Sequence, residues 1–264
     1  MPELIEVELY RRVVDRTVGR TIATVDAPDA WFCKGVTPEV LAAALPGRTI
    51  VGTRRRGKLL LVDTDGPVLG LRFGMTGRVL VDGVGPIEEL EYGPGRDDPA
   101  WHRFGLTFAG GGDLTMVDPR RLGGVALDPD EEALGPDAAT VGRAALRDLL
   151  AGSQAPLKAR LMDQSRLAGV GNLICDETLW RARLDPARPA GSLTPAEVTR
   201  LHRHLRSTIA LLTERGGAHT GDLQAERHRD GRCPRCHRPL DRRTIGGRTT
   251  YSCPHHQRSP APER

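Results

Sequence analysis

Two groups of residues in this 264-residue chain have types and spacings suited to chemistry. The first is the amino terminus, Met1-Pro2-Glu3-Leu4-Ile5-Glu6-Val7-Glu8. Aminopeptidases remove an initiator Met that precedes a small residue such as Pro. The new terminus is then a secondary amine, and an α-amino group titrates at roughly pH 8. Unprotonated, it is a nucleophile able to condense with a carbonyl-like carbon to a Schiff base. Glu3 follows at once, placed to give or take a proton beside it. While Met1 remains, the Pro2 nitrogen is a tertiary amide with no lone pair for attack. The same residues also read as a plain helix start, with Pro at the first position and glutamates in the first turn.

The second group is Cys233-Pro-Arg-Cys236, sixteen residues, then Cys253-Pro-His-His256. Thiolates three positions apart in a tight knuckle point at one centre, and two such pairs on a hairpin complete a tetrahedron. His256 is preferred to His255 because it preserves the two-residue gap. Four protein ligands leave no open position, so the ion, a Zn2+ by ligand type, is structural. Between the pairs lie Arg242, Arg243, Gly246, Gly247 and Arg248. A two-Gly turn with an Arg at a hairpin tip presents a guanidinium to a phosphate or a DNA groove. A weaker signal is Gly169-Val170-Gly171-Asn172. Asn is a good N-cap, and a Gly-flanked helix N-terminus lets backbone N–H groups approach an anion. Alone, it also fits a plain helix–helix turn.

The elements that must position these residues fall into three stretches. Leu4, Val7, Tyr10, Val14 and Val18 predict an amphipathic helix over residues 3–17, stopped by Gly19. Thr21–Val25 reads as a strand, and Thr37 as the N-cap of a helix over Pro38–Leu45. From Thr49 to about Leu127, short β-branched and aliphatic runs alternate with turn signals: Lys58–Asp63, Val68–Phe73, Arg78–Val81, Phe104–Phe108 and Leu114–Val117. That pattern predicts an antiparallel sandwich or barrel. Gly85–Pro99 reads as a Gly/Pro/acid-rich loop, and Asp128–Asp137 as a hinge. Helical patterning follows over Asp137–Leu150, Leu157–Met162, Asn172–Arg181 and Thr194–Arg215, with Gly216-Gly217 as a stop. The fold class is α+β, with boundaries at 1–128, 129–225 and 226–264.

Composition narrows the partners. Net charge is only +4, yet residues 226–264 carry ten Arg against four acids, a net of +6 on a near-neutral body. A basic module of that kind suits a polyanion, most often nucleic acid. No apolar run approaches the length of about 18 residues that a membrane span needs. No signal-peptide pattern opens the chain, and the odd count of five Cys argues against a disulfide framework. A reducing cytoplasmic setting and a monomer are expected. Cys33 and Cys175 read as small hydrophobes.

Taken together, Pro2-Glu3-Leu4 with Glu6, the Arg-x-Lys-Leu-Leu-Leu strand at Arg56–Leu61, Gly74-Met75-Thr76-Gly77, Asp118-Pro119-Arg120-Arg121, Gly169–Asn172 and the C-terminal finger resemble, in that order, the bacterial formamidopyrimidine-DNA glycosylase/endonuclease VIII family. The resemblance implies an N-terminal antiparallel β-sandwich with flanking helices, a helix–two-turn–helix domain and a β-hairpin zinc finger, with damaged double-stranded DNA bound in the cleft between. It implies Pro2 as the nucleophile on C1′, Glu3 as the acid that helps open the sugar, and Glu6 and Glu177 as further acidic positions of the site. Lys58 is implied as a phosphate contact beside the lesion. Asn172, Arg248 and Lys158 are implied as DNA contacts. Met75, Arg121 and Leu122 match the wedge that fills the void left by a flipped base. The implied activity is glycosylase plus β,δ-lyase.

The departures carry information. Ile5 stands where the family usually has Pro, Arg72 where it often has His, and Leu122 where the wedge usually has an aromatic ring. His256 replaces a fourth Cys, which zinc tolerates. Only about ten residues separate Leu223 from Cys233, whereas relatives specialised for 8-oxoguanine carry a long loop there. Oxidised pyrimidines, ring-opened purines or bulkier adducts are therefore the expected substrates. A monofunctional glycosylase and a catalytically silent damage-binding protein are the alternatives.

Overall fold

The computed structural model describes residues 2–87 and 98–258, so most of the 85–99 loop lies outside the described residues. The chain divides into two compact units, Met1–Glu131 and Glu132–Arg264.

The first unit begins with helix α1 (Leu4–Val14), continued by a 3-10 turn over Asp15–Thr17. A reciprocal capping box between Glu3 and Glu6 satisfies its first N–H groups. Gly19, at φ +86°, ends the segment. Strand β1 (Ile22–Asp26) and helix α2 (Pro38–Ala44) follow, the latter capped by the Thr37 hydroxyl. The remaining strands are β2 (Ile50–Arg56), β3 (Leu59–Thr64), β4 (Leu69–Arg72), β5 (Arg78–Val81), β6 (His102–Phe108), β7 (Asp113–Val117) and β8 (Gly124–Leu127). They form two four-stranded antiparallel sheets, ordered β1-β6-β7-β5 and β2-β3-β4-β8. This is the expected sandwich.

Alternation decides which side chains enter its core. In β6, Phe104, Leu106 and Phe108 point inward, and in β7 Leu114 and Met116 do so. Each such burial contributes about 1.5–3 kcal/mol. Strand β3 instead buries every residue of Leu59–Val62, as a strand covered on both faces must. Helix α1 lies against β2, β3 and β5.

One sequence expectation changes here. Arg56–Leu61 is not one strand. It is the hairpin between β2 and β3, because Gly57 adopts φ +59° and reverses the chain at Gly57-Lys58. The β2 segment, rich in Arg on its outer face, lacks the apolar run that marks a strand.

The second unit contains α3 (Arg143–Leu150), α4 (Leu157–Met162), α5 (Asn172–Ala182), α6 (Pro195–Glu214) and the hairpin β9 (Asp241–Ile245) and β10 (Arg248–Ser252). Helix α6 opens with a Thr194/Glu197 capping box and buries Leu201, Leu205, Ile209 and Leu212. It packs on α5, and α5 packs in turn on β10. The helix expected from Asp137 starts only at Arg143. The Asp137 carboxylate accepts the Ala139 N–H at 2.8 Å, and this local turn displaces the first helical turn. The N-cap of α5 is Gly171, with Asn172 one position inside. Among the described residues no helix is long and apolar enough to cross a membrane.

Candidate active site

In the first unit the amino-terminal acids are drawn into helix capping rather than left in solvent. Glu3 and Glu6 are buried, at 0% and 5% exposure. The Glu3 backbone N–H donates to Glu6 Oε2 at 2.8 Å. Both acids lie within four positions of Pro2, itself buried, and their carboxylates are engaged by backbone N–H groups of the capping box.

The same helix positions a loop. The Tyr10 hydroxyl donates to the Gly77 carbonyl at 3.3 Å, and its ring meets Phe73 at 4.5 Å between centroids. Burial and the nearby Glu6 charge push this phenol far above its ordinary value, so it acts as a neutral donor. Gly74-Met75-Thr76-Gly77 is thereby fixed on top of α1.

Asp118 joins that loop to the one that carries Arg121 and Leu122. Its fully buried carboxylate accepts the Thr76 hydroxyl at 2.7 Å and the backbone N–H groups of Gly123 at 2.8 Å and Arg120 at 3.2 Å. The two loops approach so closely that a Cβ at Gly74 would lie 2.4 Å from the Leu122 carbonyl carbon, and Gly74 itself has φ +55°. Met75 and Leu122 are thus neighbours on one framework, with Leu122 52% exposed.

Arg121 also adopts a positive φ of +55°. Its guanidinium grips Asp29 with two bonds of 2.6 Å, and Arg103 stands 3.7 Å from the same carboxylate. The Arg121 hydrogen bond holds the Asp29 carboxyl below its usual range, against burial, which works the other way. Lys58 lies in the β2–β3 turn, beside Gly57, whose carbonyl accepts from Arg55 at 2.7 Å.

In the second unit, Gln164 zips the loop before α5. Its amide donates to the Met162 and Val170 carbonyls at 2.8 and 2.9 Å, and its oxygen accepts the Gly169 N–H at 2.9 Å. This presents the N-terminus of α5, where the Asn172 Oδ1 is buried without a hydrogen-bond partner. A buried carboxamide oxygen accepts, so its partner is a donor such as water, and the amide Nδ2 is the atom able to donate to an anion.

Glu177 is committed elsewhere. It accepts Arg181 Nε at 2.6 Å and the Leu223 N–H at 2.9 Å, so it clasps the segment after α6. Lys158 differs from its expected place at the DNA surface. It is fully buried, donating to Asp176 Oδ1 at 2.6 Å and to the Thr249 carbonyl at 3.2 Å. Asp176 also accepts the Tyr251 N–H at 3.2 Å and pairs with Arg227. A Lys this deeply paired joins α4, α5 and the finger hairpin and cannot reach a phosphate.

The hairpin tip is Gly246-Gly247, both with positive φ, at 57° and 72°, as a tight two-residue turn requires. A Cβ on Gly246 would lie 2.9 Å from the Ala159 Cβ, so the tip rests on α4 and leaves Arg248 exposed. Cys233, Cys236, Cys253 and His256 converge at the base of the hairpin, their ligand atoms all within 4.8 Å of one another. The Cys236 and Cys253 sulfurs are 3.7 Å apart. A tetrahedral ion with bonds of about 2.3 Å sets its sulfurs at roughly that spacing. His256 Nε2 is buried without a partner, as a ligand nitrogen awaiting a metal would be. The residues fit a metal. Trp180 Nε1 donates to Cys233 Sγ at 3.4 Å, and Gln257 ties the Cys253 N–H to the Leu184 carbonyl.

Residues 1–125 match the formamidopyrimidine-DNA glycosylase N-terminal domain, and residues 132–223 match the formamidopyrimidine-DNA glycosylase H2TH domain. The chain belongs to the formamidopyrimidine-DNA glycosylase family. The family member of Symbiobacterium thermophilum is 34% identical over 288 residues, spanning 100% of this chain and 90% of that protein. A family member of Thermus thermophilus is 36% identical, spanning 96% of this chain and 97% of that protein. The Lactococcus lactis Fpg structure with abasic-site DNA superposes with a TM-score of 0.82 at 26% identity, covering 98% of this chain and 100% of that one. The wild-type L. lactis protein with N7-benzyl-Fapy-dG DNA gives the same TM-score and identity over the same shares. The enzyme class expected from the sequence stands with the family.

In this family member, the sequence motifs contain Thr76 and Asp118 without assigning either a role, and Asp29 and Gln164, which also order the site, were not singled out. Two carried a readable signal. Asp before Pro-Arg-Arg and Gln inside a Gly-rich turn are types that bond to nearby backbone N–H groups. Asp29 carried none, since its partner Arg121 lies far along the chain.

Proposed function

We propose that the chain excises damaged bases from duplex DNA and cleaves the resulting abasic site by β,δ-elimination, with Pro2 as the nucleophile. The observation that carries this reading is the Pro2-Glu3-Glu6 cluster, in which two buried acids, linked by the Glu3 N–H to Glu6 bond, follow a prospective secondary amine within four positions. The flipped nucleotide presents C1′ to the Pro2 nitrogen. The N–C1′ bond forms as the base leaves with its bonding electrons, and Glu3 protonates the sugar ring oxygen so that the ring opens. The resulting iminium acidifies the C2′ proton. Its loss expels the 3′ phosphate, and a second elimination expels the 5′ phosphate. Hydrolysis then returns the amine.

Lys58, Asn172 and Arg248 hold phosphates. Met75, Arg121 and Leu122 fill the space vacated by the flipped base. Leu122, being aliphatic, supplies contact without stacking. A Zn2+ on Cys233, Cys236, Cys253 and His256 keeps the Arg248 hairpin folded and takes no part in the reaction.

The lesion reading follows from the segment after α6. Residues 215–232 are pinned by Asp222 to Arg181 and Arg215, by the buried Leu223, and by Arg227 to Asp176. A segment held in this way does not fold over a base, so ring-opened or bulky lesions are favoured over 8-oxoguanine. A wild-type L. lactis relative has been captured with N7-benzyl-Fapy-dG DNA.

Borohydride trapping on abasic duplex tests the chemistry. Protein shown by mass spectrometry to lack Met1 should form a covalent adduct, and protein retaining Met1 should form none. An adduct of equal yield in both would remove Pro2 from the mechanism. Release of 8-oxoguanine opposite C faster than any ring-opened or bulky base would remove the lesion reading.

A further inference from the structure

A cavity of about 480 Å³ in the second unit is lined by Arg181, Arg183, Arg200, Arg203, His204 and Arg235. Its volume is in the range of small-ligand sites, but its lining is almost wholly cationic. The acids that adjoin it are shared elsewhere. Glu177 and Asp222 hold Arg181, yet Glu177 also accepts the Leu223 N–H, and Asp222 also pairs with Arg215. Glu197 reaches Arg200 only at 3.7 Å, because it binds Arg188 at 2.7 Å.

Part of the cluster has a structural explanation. Arg200 donates to the Ala182 carbonyl at 2.8 Å and Arg235 to the Trp180 carbonyl at 2.9 Å, closing the last turn of α5. The Arg235 guanidinium carbon stands over the Trp180 ring, 4.0 Å from its centroid. Arg183 and Arg203 have no such role. Both are exposed, and among the described residues no carboxylate pairs with either. The cavity therefore holds a surplus of positive charge. Burial, then the charges of Arg203, Arg235, Arg181 and Arg200, hold His204 below its ordinary value.

The site is separate from the expected DNA contacts. Asn172 opens α5 and these arginines surround its other end, about 15 Å along the helix at 1.5 Å per residue. An apolar wall for a nucleobase is missing, since the lining holds five arginines and one histidine. What remains is planar guanidinium donors, which match phosphate oxygens.

We propose that this cavity is a second anion site that takes phosphate groups, either of a free oligophosphate or of a nucleic-acid backbone, between Arg183, Arg203 and Arg235. Calorimetric titration of the full chain with sodium tripolyphosphate at low salt tests it. Binding should be one to one and at least tenfold weaker in Arg183→Asn/Arg203→Glu. Asn tolerates the positive φ at 183, and neither arginine makes an ion pair, so folding is retained and circular dichroism checks it. Arg143→Glu/Arg147→Glu, on α3, should bind as the parent does. The His204 ring signals should move on binding, and the imidazole should titrate at higher pH with the anion present. Equal affinity in the pocket variant, or an unmoved His204, would overturn the proposal.

A short undamaged duplex distinguishes the source. If backbone phosphates enter the pocket, the duplex moves His204 and the pocket variant lowers the slope of log K against log salt. If free oligophosphate is the ligand, tripolyphosphate still moves His204 in protein saturated with duplex.

Discussion

The Lys158 ammonium and the Asp176 carboxylate meet at 2.6 Å, with side-chain exposures of 0% and 1%. Asp176 gathers Arg227 and the Tyr251 N–H as well, so one carboxylate binds α4, the segment after α6 and the finger hairpin to α5. Removing Lys158 leaves Asp176 with Arg227 and the Tyr251 N–H as partners, so the cost is about 1–3 kcal/mol, below that of a fully unpaired buried charge. Lys158→Met should therefore lower unfolding free energy by about that amount in urea. A stable Lys158→Met protein with weakened DNA binding would return Lys158 to the DNA surface.

Glu3→Gln should slow base release by roughly 10²–10⁴-fold, the usual range for loss of a proton donor. Gln still accepts the Glu6 backbone N–H, so the helix start and the melting temperature should be retained. Single-turnover excision from a ring-opened substrate, alongside trapping on a preformed abasic site, separates the steps. Excision should fall far more than trapping.

The Asp29–Arg121 clasp makes an acid-side prediction. The folded state holds the Asp29 carboxyl below its unfolded value of roughly 3.9, mainly through the Arg121 hydrogen bond. The contribution is therefore present above about pH 4 and is lost as pH falls below that through the depressed folded value. Asp29→Asn should remove this dependence and cost about 1 kcal/mol near neutrality, since the Arg121 side chain is 49% exposed. Thermal unfolding of both proteins between pH 3 and pH 7, taken as roughly the titration range of a carboxylate, reads the difference.

Metal removal should act locally. Chelation, or Cys253→Ala, should release the hairpin carrying Arg248, because structural metal binding supplies folding free energy on the order of 10 kcal/mol to small finger domains. Hydrogen exchange should accelerate for residues 232–257 and stay unchanged for the Met1–Glu131 unit.

Arg248→Ala should weaken binding to all duplexes about equally and reduce the salt slope by about 1, the signature of one lost phosphate contact. Fluorescence anisotropy on damaged and undamaged duplexes across a salt series measures it. A change confined to one lesion would assign Arg248 to base recognition instead.

The candidate metal cluster was legible because its geometry is local. A knuckle spaced C-x2-C, matched by C-x2-H across a two-Gly hairpin, leaves little freedom, and the four residues do converge. The sandwich was legible because apolar alternation in β6 and β7 must have one buried face. The hairpin at Gly57-Lys58 was not, since a Gly inside an Arg-rich run gives no warning of a reversal.

What the sequence alone determined is the chemistry available: an amine after Met1 removal, two acids one helical turn apart, a four-ligand metal set and a basic C-terminal module. The tertiary structure alone decided how long-range partners use the remaining charges. Asp29 meets Arg121 across 92 positions, Thr76 meets Asp118 across 42, and Lys158 turns inward to Asp176 instead of outward. A side chain's periodicity reports its face on an element, but the partner it finds there depends on how the elements pack, and desolvation then fixes whether its charge is spent inside the fold or offered to a ligand.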